Sequence, residues 1–287
     1  MDNMKRFSLL IIISLFLAIP CFAQTQGVLE PDGEDITTYE LFESCGFIWQ
    51  VPDKIGPHKD APVRHIHQSY DETLGQYVFE FTLHAADDID FCLPDRTDRQ
   101  RNEIAIAGKD PSSTVAGEGE TLKVAWKFYL PEGMVATPNF CHVYQIKALC
   151  SGDGPSDIGM PILTLSVKDK DGAKTFEVQY RGPHNTGGYE KLFVDDMDKY
   201  LGKWLEAESE MTIAKEGKLS LKISEIESGN VLCDLKDVQR DFHRDGATGT
   251  RPKWGLYRSV GENGAYRGTL RDETVKFTDI SCRNISR

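Results

Sequence analysis

Residues 162–180 have the sequence ILTLSVKDKDGAKTFEVQY, in which two strand-like segments flank a turn. The segments 162–167 and 175–180 are rich in β-branched and aromatic residues and alternate with a period of two, which is typical of β-strands. Between them, KDKDG at 168–172 supplies the Asp and Gly that favour a tight turn. This stretch therefore predicts an antiparallel β-hairpin.

The same period of two recurs along the chain. It is found in YVFEFTL at 77–83, KVAWKFYL at 123–130 and KLSLKI at 218–223, with a second turn at Glu216-Gly217. Only 189–205 could hold a helix, and at most a short one. Many strands joined by hairpin turns indicate an all-β jelly roll. We expect a concanavalin-like sandwich of two antiparallel sheets with a concave cleft.

The N-terminus has the pattern of an export signal. Lys5 and Arg6 precede an apolar run at 7–19, and a small-x-small box at 21–23 follows Pro20. The run is too short to span a bilayer comfortably, and no later segment is apolar enough to do so. We therefore expect a signal peptide at 1–23, a single domain at 24–287, and a secreted or periplasmic monomer. Lipid attachment through Cys21 is the less favoured alternative, because Pro20 fits a lipoprotein signal poorly.

Charge restricts the classes of partner. The formal net charge is −12, which argues against nucleic acid and against anionic membranes. An acidic protein that binds an anionic polymer would need a locally basic cleft. We expect no required cofactor and no catalytic metal. A structural calcium ion could lie at an acidic pair such as Asp87-Asp88 or Asp195-Asp196, although such pairs are usually only solvated.

Six cysteines lie outside the leader, and their spacing does not resemble a zinc site. An even number in an exported chain predicts one to three disulfides. The pairing stays open among Cys45, Cys92, Cys141, Cys150, Cys233 and Cys282.

The first string with possible chemistry is RQRNEI at 99–104. Strand alternation places Arg99, Arg101 and Glu103 on one face. Such a set can be a solvated surface ladder. It can also bind a carboxylate through an arginine that Glu103 holds in place.

The second string is HVYQIKA at 142–148. Alternation places Gln145 and Lys147 on one face, and His142 and Tyr144 on the other. An amide and an ammonium group are costly to bury unpaired, so Gln145 and Lys147 are expected to face water or a cleft. A lone histidine such as His142 is more often structural than catalytic.

The third string is RPKWGLYRS at 251–259. Alternation groups Lys253, Gly255 and Tyr257 on one face, whereas Trp254 and Leu256 are expected to pack in the core. Gly255 is expected to leave open space between Lys253 and Tyr257 for a ligand.

Together the three strings suit the elimination of a 4-linked uronic acid. That reaction needs a group that neutralises the C5 carboxylate, a base for the C5 proton and an acid for the leaving O4. Arginine or glutamine can bind the carboxylate, lysine or histidine can be the base, and tyrosine can be the acid. Positive neighbours such as Arg101 and Lys253 would lower the pKa of a lysine base.

The order RxE, then QIK, then KxGxYR resembles the jelly-roll polysaccharide lyases, which include alginate lyases, glucuronan lyases and heparin lyase I. The likeness covers roughly 76–282 and is greatest to the ulvan lyases of polysaccharide lyase family 28, whose base is a lysine. The resemblance implies that Lys147 and Tyr257 are catalytic and that Arg101 and Gln145 neutralise the carboxylate. The remaining residues that we expect to bind substrate are Arg99, His142, Tyr144, Lys253 and Arg258.

The substrate stays open. Ulvan is the first expectation, with glucuronan or a heparin-like glycan as alternatives, and the expected partner is in each case an anionic polysaccharide. A non-catalytic carbohydrate-binding jelly roll is a second class. A glycoside hydrolase is a third, but it needs two suitably spaced carboxylates. The acidic run at 206–210 has instead the pattern of a solvated strand edge.

Overall fold

The computed structural model describes residues 25–54, 58, 64–90, 95–107, 111–150, 159–183 and 188–287. The predicted signal peptide, Cys21 and Cys92 lie outside the described residues. Within these ranges, no helix combines the length and the apolar character needed to cross a membrane.

Fifteen strands make up most of the described chain. They are β1 (Val28–Leu29), β2 (Phe47–Gln50), β3 (Ile66–Asp71), β4 (Gln76–Leu83), β5 (Arg99–Ile106), β6 (Thr121–Tyr129), β7 (Cys141–Leu149), β8 (Leu163–Lys170), β9 (Ala173–Tyr180), β10 (Glu190–Asp196), β11 (Trp204–Thr212), β12 (Gly217–Glu225), β13 (Val231–Arg240), β14 (Gly249–Ser259) and β15 (Glu273–Asn284). The helices are α1 (Thr38–Ser44) and α2 (Pro111–Thr114), with 3-10 turns at Asp35–Thr37, Pro52–Lys54, Met197–Tyr200, Glu262–Gly264 and Arg267–Thr269.

The strands form two antiparallel sheets. The rear sheet has the order β13-β12-β11-β6-β15-β4-β3, and β1 also pairs with β15. The second, which we call the cleft sheet, has the order β10-β9-β8-β7-β14-β5-β2. The predicted two-sheet jelly roll is confirmed. Distant parts of the chain meet in the cleft sheet, because β14 lies between β5 and β7.

All five predicted strands are present, and 168–172 contains the turn between β8 and β9. Asp171 and Gly172 both have positive φ, as a two-residue hairpin turn with the native twist requires. The segment 189–205 forms β10, the short 3-10 turn Met197–Tyr200 and the start of β11, whereas α1 and α2 lie elsewhere, so the expectation that only 189–205 could be helical is wrong. The run at 206–210 is also not at an edge, since β11 pairs with both β6 and β12.

Aromatic residues fill the space between the sheets. Trp126 of β6 stacks on Tyr144 of β7 at 4.3 Å between ring centroids, and Trp254 of β14 contacts the same tyrosine at 5.8 Å. All three are essentially fully buried. Burial of each such side chain contributes on the order of 2–3 kcal/mol. This packing fixes which face of β7 and β14 points inward.

Three of the cysteines are buried thiols without a disulfide: Cys141 in β7, Cys233 in β13 and Cys282 in β15. The Sγ of Cys282 donates a hydrogen bond to the carbonyl of Thr114 at 3.3 Å. The upper end of the prediction, three disulfides, is therefore wrong, because Cys141, Cys233 and Cys282 are unpaired thiols in the core.

Candidate active site

An open cleft of about 420 Å³ lies on the outer face of the cleft sheet. Strands β5, β7 and β14 form its floor, and loop residues form its walls. The lining residues are Arg96, Arg99, Arg101, Phe140, His142, Gln145, Lys147, Gly159, Met160, Pro161, Tyr189 and Tyr257. The cleft is thus locally basic, as an anionic ligand would require.

A β-bulge decides which side chains of β7 reach the cleft. Against β8, His142 pairs with Ser166 and Tyr144 with Leu165, so β7 has one extra residue between these pairs. Against β14, Tyr144 pairs with Trp254 and His142 with Tyr257, so there the extra residue is on β14. The bulge breaks the period of two, and His142 joins Gln145 and Lys147 in the cleft. The predicted grouping of His142 with Tyr144 on one face is therefore wrong.

Glu103 lies beneath the cleft and holds three of its residues together. Its carboxylate accepts hydrogen bonds from Arg101 Nη1 at 3.0 Å, from Lys253 Nζ at 2.5 Å and from the side-chain amide of Gln145. Burial alone would raise the pKa of Glu103, but the charges of Lys253 and Arg101 lower it to about 2. Glu103 thus stays ionised and orients its donors, and the predicted contact with an arginine is confirmed.

Arg101 is held mainly by protein carboxylates. Its Nε and Nη2 contact Asp90 at 2.8 and 3.2 Å, and Nη1 contacts Glu103 and Gln50. These contacts use four of the five guanidinium N–H groups. The guanidinium also lies 3.9 Å from the ring centroid of Tyr257. Arg101 therefore has one N–H left for a ligand and positions the tyrosine ring.

The Tyr257 hydroxyl is arranged to donate a proton. Arg99 Nη1 donates to the hydroxyl oxygen at 2.8 Å, and Asp98 holds Arg99 by two hydrogen bonds. Burial raises the pKa of Tyr257, against the opposing effect of Arg101, so the phenol is protonated at neutral pH. Because the oxygen accepts from Arg99, the phenol proton can point toward a ligand.

Lys147 differs from Arg99 and Arg101, the cations that β5 places in the cleft. Among the described residues its Nζ has neither a hydrogen-bond partner nor an ion pair, whereas Arg99 and Arg101 are both paired. Burial and the positive charges of Arg101 and Arg251 lower the pKa of Lys147 to about 8, against the opposing charge of Glu103. A half-buried amine with this pKa is partly neutral near pH 8 and can accept a proton.

His142 is a neutral imidazole. Burial lowers its pKa to about 3. Its Nδ1 lies 2.7 Å from the Ser166 hydroxyl, and its ring stacks on Phe140 at 5.3 Å. A neutral ring fixed in this way can offer a hydrogen bond to a ligand without adding charge.

Three residues that were expected to bind substrate lie outside the cleft. Tyr144 is in the core against Trp126, and Arg258 is fully buried with its Nε donating to Gln100. Lys253 is on the predicted face, but it is only 3 % exposed and pairs with Glu103 beneath the floor. All three therefore have structural positions and do not line the cleft, because each side chain packs in the core or pairs with a buried partner.

Gly255 also has a different role from the expected one. Its φ is +136°, and a Cβ there would lie 2.1 Å from the carbonyl oxygen of Asn102 on β5. The glycine therefore allows two strand backbones to approach, and no open space for a ligand lies beside it.

Several cleft residues were missed from the sequence. Arg96, Phe140, Met160 and Tyr189 lie in loops, where strand alternation gives no signal. Asp90 also lies in a loop, and its role depends on contact with Arg101 from β5.

Similarity to known proteins is found at the level of structure. No family model and no curated protein matches the chain. An endo-β-1,4-glucuronan lyase from the fungus Trichoderma reesei matches with a TM-score of 0.50 and 14 % identity, covering 83 % of this chain and 91 % of that one. A family 7 alginate lyase crystallised in complex with substrate matches at 0.51 and 15 %, covering 83 % and 92 %.

A third solved structure, an exolytic family 7 alginate lyase from Zobellia galactanivorans, matches with a TM-score of 0.51 and 10 % identity. The match covers 82 % of this chain and 94 % of that one. At these identities the likeness establishes the fold. The chain therefore has the jelly-roll fold found in polysaccharide lyases that act on alginate and glucuronan.

Proposed function

We propose that this protein is a polysaccharide lyase that cleaves a uronic-acid-containing polysaccharide by β-elimination. The observation that carries the proposal is the pairing, in one basic cleft, of an amine without an ion-pair partner and a protonated phenol. Lys147 has a pKa of about 8 and Tyr257 has a raised pKa, so at pH near 8 one can accept a proton while the other donates one.

The first requirement is to neutralise the uronate carboxylate at C5. Gln145, His142 and the remaining N–H of Arg101 are the polar groups of the cleft floor that could bind it. Hydrogen bonds to the carboxylate stabilise the negative charge that develops on it when the C5 proton leaves. Since His142 is neutral, it can donate only through the nitrogen that carries its proton.

The second requirement is the transfer of two protons. Neutral Lys147 takes the proton from C5, and the electron pair of that bond forms the C4–C5 double bond. The C4–O4 bond breaks, and the hydroxyl of Tyr257 gives its proton to O4, which departs bonded to the neighbouring sugar. The products are an unsaturated uronate end and a free hydroxyl end, and the lysine returns its proton to the tyrosine through solvent.

We propose ulvan as the first substrate to test, because of the resemblance of QIK and KWGLYR to family 28 lyases. Glucuronan is the second, since a glucuronan lyase shares the fold. A heparin-like glycan is the third. Export by the leader at 1–23, a monomeric state and a single domain at 24–287 belong to the same proposal.

The test is to incubate the purified protein with ulvan, glucuronan, alginate and heparin, and to record the ultraviolet absorbance of the unsaturated uronate. We expect absorbance to rise with at least one polymer. If a polymer binds to the protein and no absorbance develops with any of the four, the protein is a non-catalytic binding domain and the proposal is wrong.

A further inference from the structure

Three histidines and an aspartate meet away from the cleft. His65 directly precedes β3 and His84 directly follows β4, and these strands are antiparallel neighbours, so the two rings come together. His58 and Asp88 lie outside the strands and complete the group. One ligand atom from each of the four residues lies within 4.8 Å of all the others.

Several distances within this group are close to those between the ligands of one metal ion. His65 Nε2 lies 3.0 Å from Asp88 Oδ1 and 3.1 Å from His84 Nδ1. Asp88 Oδ2 lies 3.3 Å from His84 Nδ1, and Asp88 Oδ1 lies 3.6 Å from His58 Nε2. Ligand atoms around a tetrahedral zinc ion lie about 3.3 Å apart, since Zn–N and Zn–O bonds are about 2.0–2.1 Å long.

Surrounding groups orient these side chains. Nδ1 of His65 bonds to the Asp53 carboxylate, which itself accepts a hydrogen bond from the Tyr39 hydroxyl. With Nδ1 donating to Asp53, a neutral His65 points its Nε2 lone pair at Asp88 and His84. A carboxylate behind an imidazole is the usual support of a metal-binding histidine.

Hydrogen bonds also hold the loop that carries Asp88 in place. The backbone amide of His84 donates to Asp88 at 2.6 Å. Gln100 and Arg267 both donate to the carbonyl of Asp88, at 3.0 and 2.8 Å. The Asp88 side chain is fully buried, so its carboxylate needs a cationic or hydrogen-bonding partner at this position.

We propose that His58, His65, His84 and Asp88 bind one zinc ion. Three imidazole nitrogens and one carboxylate oxygen suit zinc, whereas calcium prefers oxygen ligands alone. Four protein ligands complete a tetrahedron, so the site is structural and keeps no position for substrate. The sequence did not reveal it because the ligands come from three separate segments without a recognisable spacing.

The ion would also brace the cleft. Asp88 is two residues before Asp90, which holds Arg101, and the Arg101 amide donates to the carbonyl of Ile89 at 3.3 Å. Zinc would therefore order the loop that positions Arg101 beside Tyr257. This consequence for activity rests on the proposed function, but zinc binding itself does not.

The experiment is calorimetric titration of the chelator-treated, untagged protein with zinc, without any polysaccharide. We expect one zinc ion per chain and a rise in melting temperature, because an ion that binds only the folded state stabilises it. Cobalt in place of zinc should give the strong visible absorption of a tetrahedral site.

His84→Ala is the main variant, because His84 is half-buried and its loss should be tolerated by the fold. We expect it to weaken zinc binding by more than about tenfold, and Asp53→Asn to weaken it by about 10–100-fold. His243→Ala is the matched control, since that half-buried histidine faces Glu118 and Asp245 and lies outside the group.

Absence of stoichiometric zinc binding by the folded protein would overturn the proposal. So would unchanged zinc affinity in folded His84→Ala. Either result is independent of whether the protein cleaves any polymer, so the zinc site and the lyase activity can fail separately.

Discussion

At the scale of the residue, Lys147 is the group whose protonation should govern the rate. Its pKa is lowered to about 8, and only the neutral amine can take the C5 proton. The elimination rate should therefore increase as the pH is raised through about 8, and it should be lower at pH values below 8. Initial rates across this range should show that rise, and a rate that falls with increasing pH would contradict Lys147 as the base.

The neighbouring Arg251 offers a test of the cause. Its positive charge contributes to the lowered pKa of Lys147, so Arg251→Gln should raise that pKa and move the rising limb to higher pH. Arg283→Gln, at an exposed position of β15, is the control and should leave the profile in place. An unshifted limb in Arg251→Gln would show that this charge does not tune the base.

Two tyrosines allow a matched comparison. Tyr257→Phe removes the proton donor in the cleft and should lower the rate by about 10²–10⁴-fold. Tyr144→Phe makes the same chemical change in the core, where no substrate reaches, and should leave the rate nearly unchanged. Equal losses in the two variants, with both folded, would show that the cleft has been assigned wrongly.

At the scale of the element, Gly255 lets β14 lie against β5. Gly255→Ala would place a Cβ on the Asn102 carbonyl at a positive φ, so it should lower the free energy of unfolding by more than about 1 kcal/mol. Gly268→Ala is the control, because a Cβ there has open space. Denaturant unfolding measures both, and equal stabilities would contradict the close approach.

Strand alternation was sufficient to predict the facing of side chains on β5 but not on β7. Alternation correctly grouped Arg99, Arg101 and Glu103 on β5, because that strand pairs with β14 without a shift. It failed on β7, where the bulge turns His142 into the cleft and leaves Tyr144 in the core. A bulge depends on the partner strand, so the period of one strand cannot reveal it.

At the scale of the whole molecule, a net charge of −12 repels an anionic polysaccharide, whereas the locally basic cleft attracts it. Salt weakens both the repulsion and the attraction, because the screening length falls from about 30 Å at 0.01 M salt to about 3 Å at 1 M. We expect the cleft to dominate at the point of contact, so KM for a polyuronate should rise with salt. A KM that falls would mean that overall repulsion governs binding.

Fold and site also differ in how much the sequence could predict at this scale. Hairpin turns and strand periods are local, and they were enough for the two-sheet sandwich. The cleft walls, including Phe140 and Tyr189, and the group around His65 depend on loops that meet only in the folded chain. No local sequence pattern indicates contacts between loops that are distant along the chain.

The most direct test of the account is the ultraviolet absorbance of a polyuronate digest made with the wild-type protein and with Tyr257→Phe. We expect wild type to produce the unsaturated uronate on ulvan, glucuronan or another polyuronate, and folded Tyr257→Phe to lose most of that rate. Cleavage without a double bond, or full activity in Tyr257→Phe, would contradict it.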